Sequence, residues 1–454
     1  MTDTVMTTAH EPDGAPRVAS LDVMRAIAIL GILFMNINDM GASLYASFGD
    51  VRHIGWQWYD QVAWFLRAVL ADGTARCLLE MLFGVGMVIL TERAAGAVAR
   101  SGEGGRLRKV AGWLFGPWAV LKGYYWRNLV LFAFGVVHVL VLLWPGDILH
   151  SYGLAALVAF LFRRLGPKTL VAIGLLMAVL QLGGGGYSYL TVPAKRAEAA
   201  RLEQVKAAGG KLSKEQATLV KEVQDGRKRR ADARAAETKQ VAAEDKARTG
   251  TFASWAEAQW RGAWYFQSKG IEVFVLWEAV SVMLIGAALF KWGVIQGERS
   301  QRFYVGLLLI GYGVGFTARA LGAMTEMRFD DSPSITWAMY EPARLATTLG
   351  HIALIHLLLK SVAGARLLRP FEAAGRTALS VYIGQTLICL WLLYPPFALG
   401  LYGKQGWLAL MLTAAAVNLL LLVWANWWVR RYRIAPVEWA WRSIVAGRRL
   451  PFRS

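Results

Sequence analysis

The sequence predicts an all-α, polytopic integral membrane protein with about ten transmembrane helices and a charged extramembrane helical hairpin insertion. Of its 454 residues, 56% are hydrophobic and 20 are tryptophan, whereas soluble domains are roughly 45–50% apolar. Apolar runs of membrane length recur along the chain, because ~20 residues are enough to cross a bilayer. Lysine and arginine are concentrated in the loops between these runs, as in membrane proteins with a fixed orientation.

Ten runs fit single crossings, and an even number of crossings puts both termini on the same side. The weaker amphipathic stretch 56–71 is expected to lie along the membrane interface. The expected spans are 21–40, 75–91, 126–144, 148–162, 169–190, 271–290, 303–322, 343–360, 376–397 and 407–429.

The distribution of basic residues predicts the orientation. Loops 92–125, 163–168, 291–302 and 361–375 and the tail after 429 are rich in lysine and arginine, whereas the short loops opposite them carry few. Because cytoplasmic loops carry the excess of positive charge, both termini are predicted to be cytoplasmic. The net charge of +19 is therefore assigned to topology and to contact with anionic lipids, not to nucleic acid.

Composition shifts predict five regions. These are a disordered cytoplasmic N-terminus at 1–20, a transmembrane bundle at 21–192, a charged periplasmic insertion at 193–262, a second bundle at 263–429 and a basic cytoplasmic tail at 430–454. The insertion should be a helical hairpin that turns at Gly209-Gly210, with Ser213 and Gln216 as a capping box. It is either a docking arm or a solvated insertion, and mixed charge favours the second.

The stretch from Trp126 to Tyr152 holds the most informative ionisable residue. His138 lies inside a membrane-length apolar helix, and Asp147 and His150 follow a break at Pro145-Gly146. Ionisable side chains inside a membrane are expensive and usually functional. His138 and Asp147 could form a general-base pair if the break folds the acid back over the helix. The alternative is a structural histidine bonded to a neighbouring helix.

Other polar residues predict a cavity that is open to both faces of the membrane. Asp22, Arg25, Asn36 and Asp39 fall on one stripe of the first span, although the Asp22–Arg25 pair fits simple anchoring equally well. The full predicted cavity set is Asn36, Asp39, Glu80, His150, Glu278, Arg319, Arg344 and His351. The only cysteines, Cys77 and Cys389, lie in apolar segments and predict neither a disulfide framework nor a metal site.

Four segments resemble the YeiB-like family of bacterial polytopic membrane proteins, a domain of unknown function. They are LDVMRAIAILGILFMNI, GVVHVLVLLWPGDIL, GRTALSVYIGQTLICLWLLY and RRYRIAPVEWAWRSI. The chain departs from the family pattern at Ala26, where glycine is usual, and in the charged insertion. The opening motif is also similar to that of transmembrane acyltransferases, including heparan-glucosaminide acetyltransferase-like proteins.

This resemblance implies a multi-pass protein of the bacterial inner membrane that moves an acyl group from cytoplasmic acyl-CoA to an extracytoplasmic acceptor. His138 would be the general base or the acyl carrier, oriented by Asp147, and Asp22, Arg25 and Arg376 would bind the donor. No permanently bound cofactor and no nucleic-acid partner are expected. Membrane lipids and a small-molecule or envelope acceptor are the expected partners, with homo-oligomerisation left open. The alternatives are a transporter of a small solute or lipid-linked precursor and a non-catalytic assembly protein.

Overall fold

The computed structural model describes residues 19–100, 118–268, 271–330 and 333–453, and all regular secondary structure in these ranges is helical. The predicted fold class is confirmed: the protein is an all-helical, multi-pass membrane protein. Most of the predicted N-terminal region 1–20 and much of the loop 92–125 lie outside the described residues.

Fifteen α-helices are numbered here in chain order. They are α1 Ala19–Gly41, α2 Trp58–Leu70, α3 Thr74–Arg100, α4 Trp118–Leu140, α5 Leu149–Ala159, α6 Pro167–Ala207, α7 Lys214–Arg248, α8 Phe252–Ser268, α9 Ile271–Lys291, α10 Gln301–Glu326, α11 Ile335–Leu359, α12 Val362–Arg376, α13 Ala378–Thr386, α14 Trp407–Trp428 and α15 Pro436–Ala446. Each of the ten expected spans coincides with one of these helices.

The number of membrane-length helices is smaller than expected. Within the described ranges, seven helices are long and apolar enough to cross a membrane, or eight if the bent pair α12–α13 forms one span. The expected spans 126–144 and 148–162 account for the difference. Helix α4 is long enough at 23 residues but is not among the helices that are also apolar enough, and the second span is a short apolar helix, Leu149–Phe162.

Helix α1 occupies the middle of the bundle and packs against α3, α12 and α14. The next layer forms where α9 packs against α3 through glycines on both helices. A Cβ at Gly84 would collide with the carbonyl of Met283, and one at Gly286 would collide with that of Met81. Small residues allow helix backbones in membranes to approach in this way. Gly86 has open space around it and makes no such contact.

The two ends of α1 contact different parts of the chain. At its start, Asp22 packs against Gly375 at the end of α12, next to the segment of α13 that is capped by α15. At its other end, Arg248 at the end of α7 donates to the carbonyls of Asp39, Met40 and Ala42. We call these the Asp22 end and the Arg248 end of the bundle. The C-terminal helix and the start of α1 therefore share one end, and the insertion is anchored at the opposite one.

The insertion forms the predicted hairpin. Gly209 turns the chain at φ +85°, and Ser213 and Gln216 make both hydrogen bonds of the capping box. The boundary placed at 192/193 is not a break, because α6 runs straight through Pro193 and carries the membrane helix into the first arm. The predicted basic tail likewise contains a helix, α15.

The helix around His138 also differs from expectation. It ends at Leu140, before Pro145, and residues 141–148 form a loop in which Leu143 has φ 58°. The amide of Trp144 donates to the carbonyl of His138. The loop therefore folds back toward its own helix, so the proline is not what ends α4.

Candidate functional site

The carboxylate of Asp147 is the centre of a buried polar cluster. Its Oδ1 lies 2.7 Å from Nδ1 of His138 and 3.4 Å from the hydroxyl of Tyr382. Its Oδ2 accepts from the backbone amide of His150 at 3.0 Å and lies 2.8 Å from Nδ1 of the same residue. Several donors thus compensate the burial of one carboxylate, as a buried charge requires. The pairing of His138 with Asp147, which the sequence left open, is present.

A hydroxyl completes the arrangement around His138. Nε2 of the ring lies 2.9 Å from Oγ1 of Thr386 on α13. Because an ionised carboxylate only accepts hydrogen bonds, Nδ1 of His138 carries the proton given to Asp147, and Nε2 accepts from Thr386. We call His138, Asp147, His150 and Thr386 the histidine cluster. Carboxylate, imidazole and hydroxyl follow one another in the order found in nucleophile–base–acid triads.

Local backbone features position these groups. A Cβ at Gly135 would collide with the amide nitrogen of His150, so glycine allows α4 and α5 to approach at the level of the cluster. On the other side, α12 and α13 meet at an angle of 79°. A π-helical segment, Leu387–Leu393, begins directly after Thr386. Such segments are rare and occur often at functional sites.

The histidine cluster is closed. His138 and Thr386 have no exposed surface, and Asp147 is 5% exposed. The expectation that a water-filled chamber shared with the polar stripe of α1 surrounds His138 is therefore wrong for this conformation. The reason is that α1 is packed by other helices, so its polar residues bond locally at either end. Among the described residues, no group of three His, Cys, Asp or Glu side chains could hold a metal.

A second polar cluster, the charged cluster, consists of Arg76, Glu80, Glu278, Glu341 and Arg344. Both guanidinium groups contact Glu278, and Nη2 of Arg344 lies 2.8 Å from Glu341. Glu80 lies 3.5 Å from each arginine. Every acid in the cluster thus faces a guanidinium, which is the condition under which buried charges are tolerated.

Helix α5 connects the two clusters. His150 in its first turn belongs to the histidine cluster, and the hydroxyl of Tyr152, two residues later, donates to Glu80 at 3.2 Å. Tyr152 is fully buried. The two clusters are therefore linked through two residues of α5 that lie two positions apart.

The remaining predicted cavity residues are distributed elsewhere. Asp39 accepts from Ser47 and Asn38 at the Arg248 end, and Asn36 is half-buried. Arg319 donates to carbonyls at the end of α2 and lines a pocket between α2, α10 and α11. His351 bonds Tyr312 of α10, although it shares a helix face with Arg344. In the described part of the chain, the eight residues therefore do not line one continuous cavity.

The predicted donor-binding residues lie at the Asp22 end. Nη1 of Arg25 lies 2.9 Å from Asp22, and the side chain of Arg25 is 39% exposed. Arg25 also donates to the carbonyl of Gly375, and Arg376 next to it is exposed. Nearby, Glu438 of α15 accepts from the amides of Leu379 and Ser380. Burial raises the pKa of Glu438, and the hydrogen bonds from Ser380 act in the opposite direction.

Comparison with known proteins agrees with the sequence motifs. Residues 289–448 match the family model described as protein of unknown function (DUF418). The uncharacterized protein YxaH of Bacillus subtilis is 27% identical over 439 residues, which cover 94% of each chain. The uncharacterized protein YeiB of Escherichia coli is 26% identical over 454 residues, covering 94% of this chain and 96% of YeiB. These matches support the resemblance to the YeiB-like family. No solved structure matches it.

Sequence reasoning did not find several residues of the two clusters. Arg76 lies four residues before Glu80, and Glu341 lies three residues before Arg344. These helical spacings could have predicted both ion pairs. Thr386 carried no signal, because a single hydroxyl in an apolar helix is ordinary, and 248 residues separate it from His138.

Proposed function

We propose that this protein is a membrane-embedded acyltransferase that moves an acyl group from acyl-CoA in the cytoplasm to an acceptor at the outer face of the bacterial inner membrane. The single observation that carries the proposal is the His138 ring, held by Asp147 on one nitrogen and facing a hydroxyl with the other. That is the arrangement of a general base. Such assistance contributes on the order of 10²–10⁴-fold in rate.

The Asp22 end supports a role in donor binding. Arg25 is partly exposed there beside Asp22, and cationic groups suit the phosphates of CoA. Helix α13 starts at the same end and reaches Thr386 after eight residues, a rise of about 12 Å at 1.5 Å per residue. A donor whose thioester lies far from its phosphates, as in acyl-CoA, fits this separation.

The orientation is part of the proposal. The positive-inside rule places the basic loops and both termini in the cytoplasm. The packing of α15 beside the Asp22 end is consistent with termini that share one side. The Arg248 end and the insertion would then face the periplasm, where an envelope acceptor is available. Because the histidine cluster is closed, transfer requires an opening step, for which the bend between α12 and α13 provides a hinge.

The test uses purified protein in liposomes supplied with isotopically labelled acyl-CoA, from acetyl to palmitoyl. We expect wild type to release CoA and His138→Ala to lose this activity by at least 100-fold. The matched control is His356→Ala, which removes a buried histidine bonded only to the carbonyl of Ile295 and outside both clusters. If His138→Ala handles the label like wild type, the catalytic role is wrong.

A second candidate function is transport of a small solute or lipid-linked precursor. The charged cluster favours it, because charged residues within spans often mark translocation paths. The bent pair α12–α13 also resembles the discontinuous helices of transporters. Proteoliposomes that hold a pH-sensitive dye would distinguish the two functions. Proton-coupled flux that persists without any acyl donor and is reduced by Glu80→Gln would favour transport.

A further inference from the structure

We propose that Thr386 carries the acyl group as an ester during transfer, with His138 as its base. This inference rests on the proposed function and names the nucleophile that the general-base role left open. It is drawn from the direction in which the Thr386 hydroxyl points, its burial and the helix geometry around it.

The Thr386 hydroxyl does not follow the usual hydrogen-bond pattern of helical threonines. A threonine in a helix normally donates to the carbonyl three or four residues earlier. Several threonines in the described helices do so at 2.8 Å, among them Thr91, Thr325, Thr348 and Thr413, whereas the buried Thr347 makes no such bond. Thr386 instead directs its hydroxyl to Nε2 of His138 at 2.9 Å. A hydroxyl becomes a usable nucleophile when an adjacent base takes its proton.

The groups around Thr386 are arranged to support that proton transfer. When Nε2 of His138 accepts the proton, the ring becomes an imidazolium, and Asp147 already holds its other nitrogen at 2.7 Å. Asp147 is oriented in turn by the backbone amide of His150. The cluster is buried, so these electrostatic interactions are stronger than they would be at the protein surface.

The helical segment that follows Thr386 offers apolar side chains to an acyl chain. The helix changes from α to π geometry in the next residue, and the π-helical segment reads Leu-Ile-Cys-Leu-Trp-Leu-Leu. This apolar segment adjoins the reacting oxygen. An acyl chain on Thr386 would then lie against apolar side chains, which is a favourable environment for it.

The two half-reactions balance. In the first, Oγ of Thr386 attacks the thioester carbonyl, the C–S bond breaks, and the hydroxyl proton passes through Nε2 of His138 to the departing CoA thiolate. In the second, an acceptor hydroxyl or amine attacks the ester carbonyl, the C–O bond to Thr386 breaks, and the acceptor proton passes through His138 to Oγ. Nothing is oxidised or reduced.

The experiment incubates full-length protein in liposomes with labelled acetyl-, octanoyl- or palmitoyl-CoA and no added acceptor. Two quantities are measured: free CoA thiol, and label retained on denatured protein and located by peptide mass. We expect wild type to release CoA in a burst and to carry an alkali-labile ester at Thr386. Thr386→Val, which keeps the shape and loses the hydroxyl, should lose both by at least 100-fold.

Two controls address folding. Thr386→Ser keeps a hydroxyl and should retain the label. Thr348→Val removes an equally buried hydroxyl that donates to the carbonyls of Thr74 and Arg344 and should behave like wild type. If wild type consumes acyl-CoA while Thr386→Val does so equally well, or if the label is on His138, the inference is overturned and the acyltransferase proposal stands. If wild type consumes none of the donors, the proposed function fails and the inference fails with it.

Discussion

The histidine cluster and the charged cluster are linked through His150 and Tyr152 of α5, and they differ in what their members can do. Asp147 and the two histidines can each gain or lose a proton. The arginines of the charged cluster stay protonated at any working pH, so its ion pairs cannot exchange protons through them. Both clusters are largely buried, and Arg76 is their most exposed member. Burial of polar groups therefore does not identify chemistry in this protein. The glutamates of the charged cluster can also change protonation, so the distinguishing feature of the histidine cluster is an imidazole held between a carboxylate and a hydroxyl.

The largest effect expected from this comparison is on stability, at Arg344. Arg344→Met removes the guanidinium that contacts Glu341 and one of the two that contact Glu278. Removing one partner of a buried ion pair costs about 3–5 kcal/mol. We therefore expect a large fall in Tm in detergent, or failure to fold. The control is Arg25→Met, which breaks a partly exposed pair worth about 0–1 kcal/mol. Equal losses from both variants would contradict a structural role for the charged cluster.

The next effect concerns activity and not folding. Asp147→Asn keeps the size of the side chain but brings an amide N–H close to Nδ1 of the two histidines. An N–H there favours the tautomer of His138 in which Nδ1 accepts and Nε2 carries the proton, so Nε2 can no longer act as a base. We expect turnover of acyl-CoA to fall on the order of 10²–10³-fold, or about 3–4 kcal/mol in activation free energy. The Tm should fall less than in Arg344→Met. A larger loss of stability than of activity would show that the histidine cluster is a structural feature.

A third variant tests the contact that brings the histidines together. In Gly135→Ala, the new Cβ would lie 2.6 Å from Oδ2 of Asp147 and still closer to the amide of His150. Overpacking of this kind costs about 1–3 kcal/mol, and it should reduce activity by displacing Asp147. Gly86→Ala is the matched control, because its Cβ meets open space. That variant should be stabilised by up to about 1 kcal/mol, since alanine favours a helix interior. Unfolding in denaturant measures both.

The positions of the helices could be predicted from the sequence, whereas the long-range contacts between side chains could not. The length of an apolar run shows where a membrane helix can form, and all ten expected spans contain helices. The capping box at Ser213 could be predicted because it depends only on residues three apart. Contacts between side chains far apart in the sequence could not be predicted, because they depend on how the helices pack. The polar residues of α1 share one face of the helix, and this pattern predicted that they line one cavity. In the folded chain, Asp22 bonds Arg25 at one end and Asp39 bonds Ser47 at the other.

The smallest expected effect comes from Glu438, a buried carboxylate outside both clusters that caps the helix carrying Thr386. Its pKa is raised above its ordinary value near 4.5. The folded protein therefore holds this proton more tightly than the unfolded chain, and its contribution to stability is lost as pH rises through the folded pKa. Glu438→Gln removes the titration but keeps an oxygen that can accept from the amides of Leu379 and Ser380. We expect the Tm of wild type to fall relative to Glu438→Gln between pH 4 and pH 8, by the equivalent of about 1 kcal/mol or less. A difference in Tm that does not change with pH would mean that Glu438 titrates normally and acts on α13 only as a helix cap.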